Sequence, residues 1–238
     1  MKKSIILVTL ATITLSASAQ FSGNSAGSSS MGDNSGWNTV YAEWNPTSMY
    51  YTGKGDADKV NFNAFSLGYS KAFALSQSVP IFLEAGLAAQ FMFKSETVDE
   101  RYYEDDSWWK EKQSIHMLSV KVPVNVIYKW NIPNSRVELM PFMGISLRGN
   151  VWGEWKESLE TVVNGKHNDE NGSDSYNLFS KDEMEGKQWK RFQIGWQAGI
   201  KARFNEKFLI GGSIGTDFME IAKKEKFING SIMLGYTF

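Results

Sequence analysis

Cysteine is absent from the 238 residues. There can be no disulfide scaffold, thiolate metal site, thiol nucleophile or N-terminal cysteine for lipid attachment. Histidine is almost missing, with His116 and His167 the two present, so imidazole chemistry is scarce. Neither sign of charge dominates. With 25 basic and 26 acidic residues the formal net charge is −1. That lacks the basic footprint of a nucleic-acid binder. Proline is rare, at 5, so a proline inside an ordered segment needs a reason. No apolar run approaches the ~20 residues of a spanning helix. Aromatic residues and glycine are plentiful: 14 % of the chain is aromatic, and glycine occurs 21 times.

Residues 1–19 read as a cleaved export signal. Lys2 and Lys3 precede an apolar stretch from Ser4 to Leu15, and Ala17-Ser18-Ala19 forms a small-residue cleavage site before Gln20. Residues 20–36 are rich in Gly, Ser and Asn, which predicts a flexible leader. The remaining segment, 37–238, is the folded domain.

From Trp37 onward the apolar period is two, the strand period. In 191–204, Phe192, Ile194, Trp196, Ala198, Ile200, Ala202 and Phe204 alternate with Arg191, Gln193, Gly195, Gln197, Gly199, Lys201 and Arg203. A helix would scatter those charges around its circumference. The same alternation occupies 64–73, 81–94, 117–130 and 228–238, with looser versions at 37–46, 136–152 and 208–219. That makes eight strands. Several reach the ~9–11 residues that cross a bilayer at a tilt. One face carries large apolar side chains; the other carries Gly, Ala, Ser and charges such as Glu84, Lys121, Arg148, Lys201 and Arg203. A water-soluble sandwich has nowhere to put both faces. A barrel in lipid does, with the apolar row outward and the polar row inward.

The connections alternate in length. Short ones at 76–79, 131–135 and 205–207 are interleaved with longer ones at 47–59, 97–113, 153–188 and 220–226. That is the asymmetry of periplasmic turns and outer loops, and it puts both chain ends on the short-turn side. Aromatic girdles are expected at Phe73, Tyr128, Trp130, Phe204, Phe208, Tyr236 and Phe238 near the inner rim. The outer girdle is expected at Trp44, Phe91, Phe93, Trp152 and Trp189.

The ending Ile232-Met233-Leu234-Gly235-Tyr236-Thr237-Phe238 resembles the last strand of outer-membrane barrels. In those proteins an aromatic terminus with alternating apolar residues is read by the barrel-assembly machinery. The resemblance makes Phe238, Tyr236 and Leu234 the assembly signal. Val120-Lys121-Val122-Pro123-Val124-Asn125 and Met140-Pro141-Phe142-Met143-Gly144 resemble the fourth and fifth strands of small Bacteroidetes barrels labelled porin family. Gln20 fits the same group. The resemblance covers roughly 37–238 and brings no catalytic residues with it.

The inward row places Glu43, Glu84, Glu138 and Asp217 against Lys94, Lys121, Lys129, Arg148, Arg191, Lys201 and Arg203. Counting from the turns sets Glu84 and Glu138 near Lys129, Lys201 and Arg203. Lys121 falls near Asp217 and Glu43, with Arg148 and Arg191 higher. Two readings follow: a paired ionic plug, since eight strands leave little free space, or a basic lining that favours anions. Folding about 131–135 brings Pro123 and Pro141 together and predicts a bulge or gap there. Val162-Val163-Asn164-Gly165-Lys166 carries a type I′ hairpin signal, so strands can extend above the membrane. Tyr102, Tyr103, Trp108 and Trp109, set among acids in 97–113, suit a glycan or protein surface. The alternative is that these rings lie on the barrel rim. Asp169 to Asp174 is acidic but fails the calcium-loop spacing. His116 shares a face with Ser114 and not with Ser119, and no third catalytic group is evident.

The sequence therefore predicts an all-β, eight-stranded antiparallel up-and-down transmembrane barrel of the bacterial outer membrane. Its expected surroundings are outer-membrane lipid and lipopolysaccharide, with the assembly machinery during insertion. No catalytic residue, metal or cofactor is expected. The expected role is structural or surface-binding through the outer loops. A narrow anion-preferring pore is the alternative, and a lipid-modifying enzyme stands behind both.

Overall fold

The computed structural model describes residues 36–53, 59–76, 78–103, 106–167 and 171–238. The expected export signal and all but the last residue of the expected leader lie outside them. Eight strands form a ring. β1 comprises Trp37–Trp44 and, beyond Asn45 and Pro46, Thr47–Tyr51. β2 is Val60–Ala74, β3 Ile81–Tyr102, β4 Trp108–Tyr128 and β5 Val137–Val163. β6 is Phe192–Phe204, β7 Phe208–Asp217 and β8 Glu225–Thr237. Each pairs antiparallel with its chain neighbour, and β1 closes the ring on β8 through Thr39↔Thr237 to Trp44↔Ile232.

The expected alternation sorts the faces. Leu67, Met143, Ile214 and Leu234 are exposed on the outside, while Ser66, Glu84, Asn125 and Lys201 are buried inside. Closure leaves no sheet edge across the membrane band, so every ladder group there has a neighbour strand.

Proline inside a closed ring costs a ladder bond. Asn45 turns both its N–H and C=O to Ala64 on β2, and the Gly230 N–H bonds the Pro46 carbonyl at 2.8 Å. The reciprocal bond from Pro46 to β8 cannot form, so one donor is lost at the closing seam. Register is kept: Trp44 pairs with Ile232 and Thr47 with Asn229.

Two expectations need correction. Pro123 and Pro141 do not meet. Pro123 pairs with Ser146, five residues along β5 from Pro141, because the hairpin closes in a different register from a symmetric fold. The β3–β4 ladder instead lapses between Ala85↔Val124 and Ala88↔Lys121, beside the Pro123 ring, without a count shift. The long connections are also not all loops. β1 resumes at Thr47, β3 runs on to Tyr102, β4 begins at Trp108 and β5 reaches Val163. Above the membrane both faces are polar, so the apolar period vanishes while backbone pairing continues.

Candidate functional site

The barrel interior is the first candidate. Four carboxylates each meet a base there. Lys201 Nζ lies 2.6 Å and 2.7 Å from the two Glu84 oxygens, and Glu84 also accepts from Ser70 at 3.0 Å and Asn125 at 2.9 Å. Arg203 pairs with Glu138, Arg148 with Asp217, and Lys121 with Glu43 at 3.6 Å. The expected layers hold for Glu84, Glu138 and Glu43. Lys121 also shares a cavity with Asp217, as the layers set it, but the ion pair of Asp217 is with Arg148. The register explains it: Gly195 pairs with Ser146 on one side and Asp217 on the other, so Arg148 reaches across a residue without a side chain. A Cβ at Gly195 would sit 2.9 Å from Asp217 Oδ1.

The three remaining bases stand at the ends. Lys94 pairs with Glu96 on the projecting part of β3. Arg191 is exposed at the mouth, donating to the Val151 carbonyl at 3.1 Å, with its guanidinium 4.3 Å from the centre of the Phe179 ring. It is a rim residue, because it precedes β6. Lys129 lies at the short-turn end, 5.3 Å from the Phe82 ring centre.

Apolar layers close both ends. Trp37, Phe82, Ile127, Met140 and Leu209 form the floor at the short-turn end. At the other end Phe62, Met92, Met117 and Phe227 point in from the strands and meet Leu178, Met184 and Trp189 from the loop between β5 and β6. Trp189 is 6 % exposed and belongs to this cap, not to the expected girdle. Between the layers lie cavities of about 20 Å³, beside Tyr41 and Lys201, and about 30 Å³, beside Arg148 and Asp217. Each is room for a water or two.

The second candidate is a sheet that projects from the ring. Outward residues of β3 are apolar from Ile81 to Phe93 and polar from Ser95 onward. The part of β3 beyond Phe93 adds roughly 25 Å of strand. Its neighbours are β4, β5 and the short strand Gly172–Asn177, which pairs with β5 from Glu154↔Asn177 to Leu159↔Gly172. The Asn164-Gly165 turn has φ of 50° and 72°, as the type I′ signal predicts.

Tyr102 and Tyr103, 72 % and 58 % exposed, stand at the tip of the β3–β4 hairpin. Trp108 is half-buried opposite Tyr102 and Val162, and Trp109 is half-buried opposite Arg101. The four rings are therefore held on the tip and not folded onto the barrel rim. Glu100 accepts from the Tyr102 hydroxyl and from Lys110 Nζ at 3.2 Å. The Tyr102 hydrogen bond, then that of Lys110, holds the Glu100 carboxyl below its usual range, and the same bond raises Tyr102.

Strand closure across a membrane-length ring, an outward apolar face and a charge-paired interior identify a membrane barrel. The sequence matches the family described as "Outer membrane protein beta-barrel domain" over residues 14–218. The chain belongs to the outer-membrane β-barrel family. It is accordingly a protein of the bacterial outer membrane. Solved outer-membrane barrels resemble it in fold. Ail, the attachment invasion locus protein of Yersinia pestis, is 15 % identical over 86 % of this chain and 99 % of that one, with a TM-score of 0.44. Neisserial surface protein A is 10 % identical over 84 % and 97 %, with a TM-score of 0.39. The outer membrane enzyme PagL is 11 % identical over 83 % and 97 %, with a TM-score of 0.44. The comparison with curated proteins finds no match.

One group on this outer-membrane barrel escaped the sequence reading. Glu154 stands directly across from His116. Simple alternation from Arg148 points Glu154 inward. An extra residue at Val151 shifts the register and turns Glu154 outward. The adjacent apolar pair Val151-Trp152 was the available signal. The set is not joined: His116 stacks on Phe91 at 6.0 Å between ring centres, and the Glu154 carboxylate accepts the Ser175 hydroxyl. Among the described residues no cluster of metal-ligating side chains occurs.

Proposed function

We propose that this outer-membrane barrel is a closed, non-catalytic scaffold that presents the projecting sheet as a binding surface outside the cell. The carrying observation is the contrast between interior and exterior. Inside, four acids are matched by four bases, three of the pairs between two apolar layers and the fourth, Arg203 with Glu138, at the floor, where Arg203 lies over Trp37. Outside, β3, β4 and β5 stand well clear of the membrane. Of the bases that suggested an anion pore, Lys94, Lys129 and Arg191 stand at the ends of the barrel, and Lys94 is paired with Glu96. Against an enzyme, Glu154 is engaged by Ser175 and His116 by Phe91.

The tip is the favoured contact region, with Tyr102, Tyr103, Trp108 and Trp109 offering rings to a glycan or protein. The β3 edge is a poorer candidate. A bulge between Thr97 and Asp99 and the charges Lys94, Glu96, Glu100 and Arg101 guard it. The same proposal sets the short turns and both chain ends in the periplasm, after removal of the export signal. It gives Phe238, Tyr236 and Leu234 to the assembly machinery and the outward face to lipid and lipopolysaccharide. The narrower kinship with Bacteroidetes porin-family barrels rests on 120–125 and 140–144.

Conductance of the refolded mature protein in a planar bilayer tests the proposal. A silent membrane, with insertion confirmed by protease protection, is expected. Discrete anion-preferring channels that shrink in Lys121→Ala or Arg148→Ala would return the function to a pore.

A further inference from the structure

The two apolar layers that close the barrel are built differently. The floor is made of strand side chains. Trp37 and Phe82 lie 4.6 Å apart between ring centres, with Met140 and Leu209 fully or nearly fully buried beside them. None of these can leave without opening the ring. The upper layer is half strand and half loop. Phe62, Met92, Met117 and Phe227 are fixed on β2, β3, β4 and β8, but Leu178, Met184 and Trp189 arrive on the segment 178–190.

That segment is pinched at its neck. The Trp189 N–H bonds the Leu178 carbonyl at 2.7 Å, so the two ends nearly touch. Outside the neck pair, backbone bonds tie those ends to the rim: Leu178 N–H to Gly153 at 3.2 Å and Lys190 N–H to Ile221 at 2.7 Å. A compact loop with joined ends moves as a unit about its neck. What seats it is chiefly apolar: Trp189 meets Phe62 and Phe227 edge-on at 6.1 Å and 5.7 Å.

The seat also strands polar atoms. Gln188 Oε1, both side-chain polar atoms of Gln193, Trp155 Nε1 and Arg148 Nε are buried without a protein hydrogen-bond partner. Gln193 and Arg148 are paired in register on β6 and β5, and the Arg148 guanidinium touches the cap layer through Phe227, 5.2 Å from that ring's centre. Of the six such atoms among the described residues, only Thr39 Oγ1 lies away from this region. Closure thus gains apolar contacts and forfeits polar ones, whereas the open state hydrates the polar atoms.

We infer that residues 178–190 are a lid over a dead-end cup. When it lifts, water reaches Met117, Phe227, Gln193 and Arg148 and stops at the ionic layer and floor. The cup opens outward only, so the lid does not turn the barrel into a channel. The inference does not depend on what the projecting sheet binds.

The absence of cysteine makes a clean test available. Met117→Cys reports the cup and Met140→Cys the floor, each in the otherwise full-length mature protein in liposomes. Labelling is followed with a membrane-impermeant thiol reagent. With the native cap Met117→Cys should react slowly and to completion. Adding Met184→Ser and Trp189→Ser should speed it about tenfold or more. Met140→Cys should stay unlabelled in both backgrounds. No reaction under the native cap, or equal rates with both caps, overturns the lid. Equal acceleration at Met140→Cys overturns it too, because the whole barrel is then opening. Unboiled gel migration confirms that each variant is folded.

Discussion

A buried carboxylate is tolerated only when its lone pairs and charge are answered. Glu84 meets that condition through Lys201, Ser70 and Asn125, with Gln197 donating to the other side of Asn125 at 2.7 Å. Removing the charge alone leaves Lys201 uncompensated. Glu84→Gln should lower unfolding stability by about 3–5 kcal/mol, as read from a urea titration in detergent. Glu84→Gln with Lys201→Met should recover most of that loss. A neutral single variant would show that the pair is hydrated rather than buried. On the projecting tip the effect is one of titration. Glu100 is held low by Tyr102 and then by Lys110. Its contribution is therefore present above the ordinary carboxylate range and fades as pH falls through the depressed value. Tyr102→Phe should bring the Glu100 titration, followed by NMR, back up toward that ordinary range. An unmoved titration would mean that Lys110 alone sets it.

Each strand of the ring has a lower half that answers to lipid and, in three cases, an upper half that answers to water. β3 shows the division within 22 residues. Below Phe93 it pairs on both sides, with β2 and with β4; above, it pairs with β4 alone. The upper half is therefore a separable unit. Replacing 95–113 by a two-residue turn should leave a barrel that still migrates faster before boiling. If the shortened chain fails to fold, the projecting sheet is part of the barrel's own stability. The same strands explain why the outer connections were misjudged. Thr97, Lys112 and Ser158 carry no apolar period, yet they pair. Backbone ladders and cross-strand pairs such as Lys110 with Glu100 need no buried face.

Closure is the property that belongs to the whole molecule. The last residue takes part in it. Phe238 and Asn38 exchange backbone bonds at 3.0 Å in each direction, and the Asn38 side chain adds a third contact to the terminal carbonyl. Deleting Phe238 removes the reciprocal pair at the seam. The expected cost is about 1–3 kcal/mol, visible as a lower temperature for losing the fast-migrating band. An unchanged temperature would show that the seam holds without Phe238.

Strand number, the inward and outward faces and the membrane setting could all be read from the chain, because period two and a lipid solvent leave one arrangement for such rows. The layers that set Glu84 and Glu138 near Lys201 and Arg203, and Lys121 near Glu43, were legible too, since height above a short turn is a local count; which base each acid takes was not. Tertiary structure decided the rest. Register alone separated Pro123 from Pro141. One inserted residue at Val151 turned Glu154 outward. The registers of β5, β6 and β7 gave Asp217 to Arg148 across Gly195. The packing of its own loop onto Phe62 and Phe227 drew Trp189 from an expected girdle into a cap. Each of these depends on which strand lies opposite, and a single strand's alternation carries no record of its neighbour's offset.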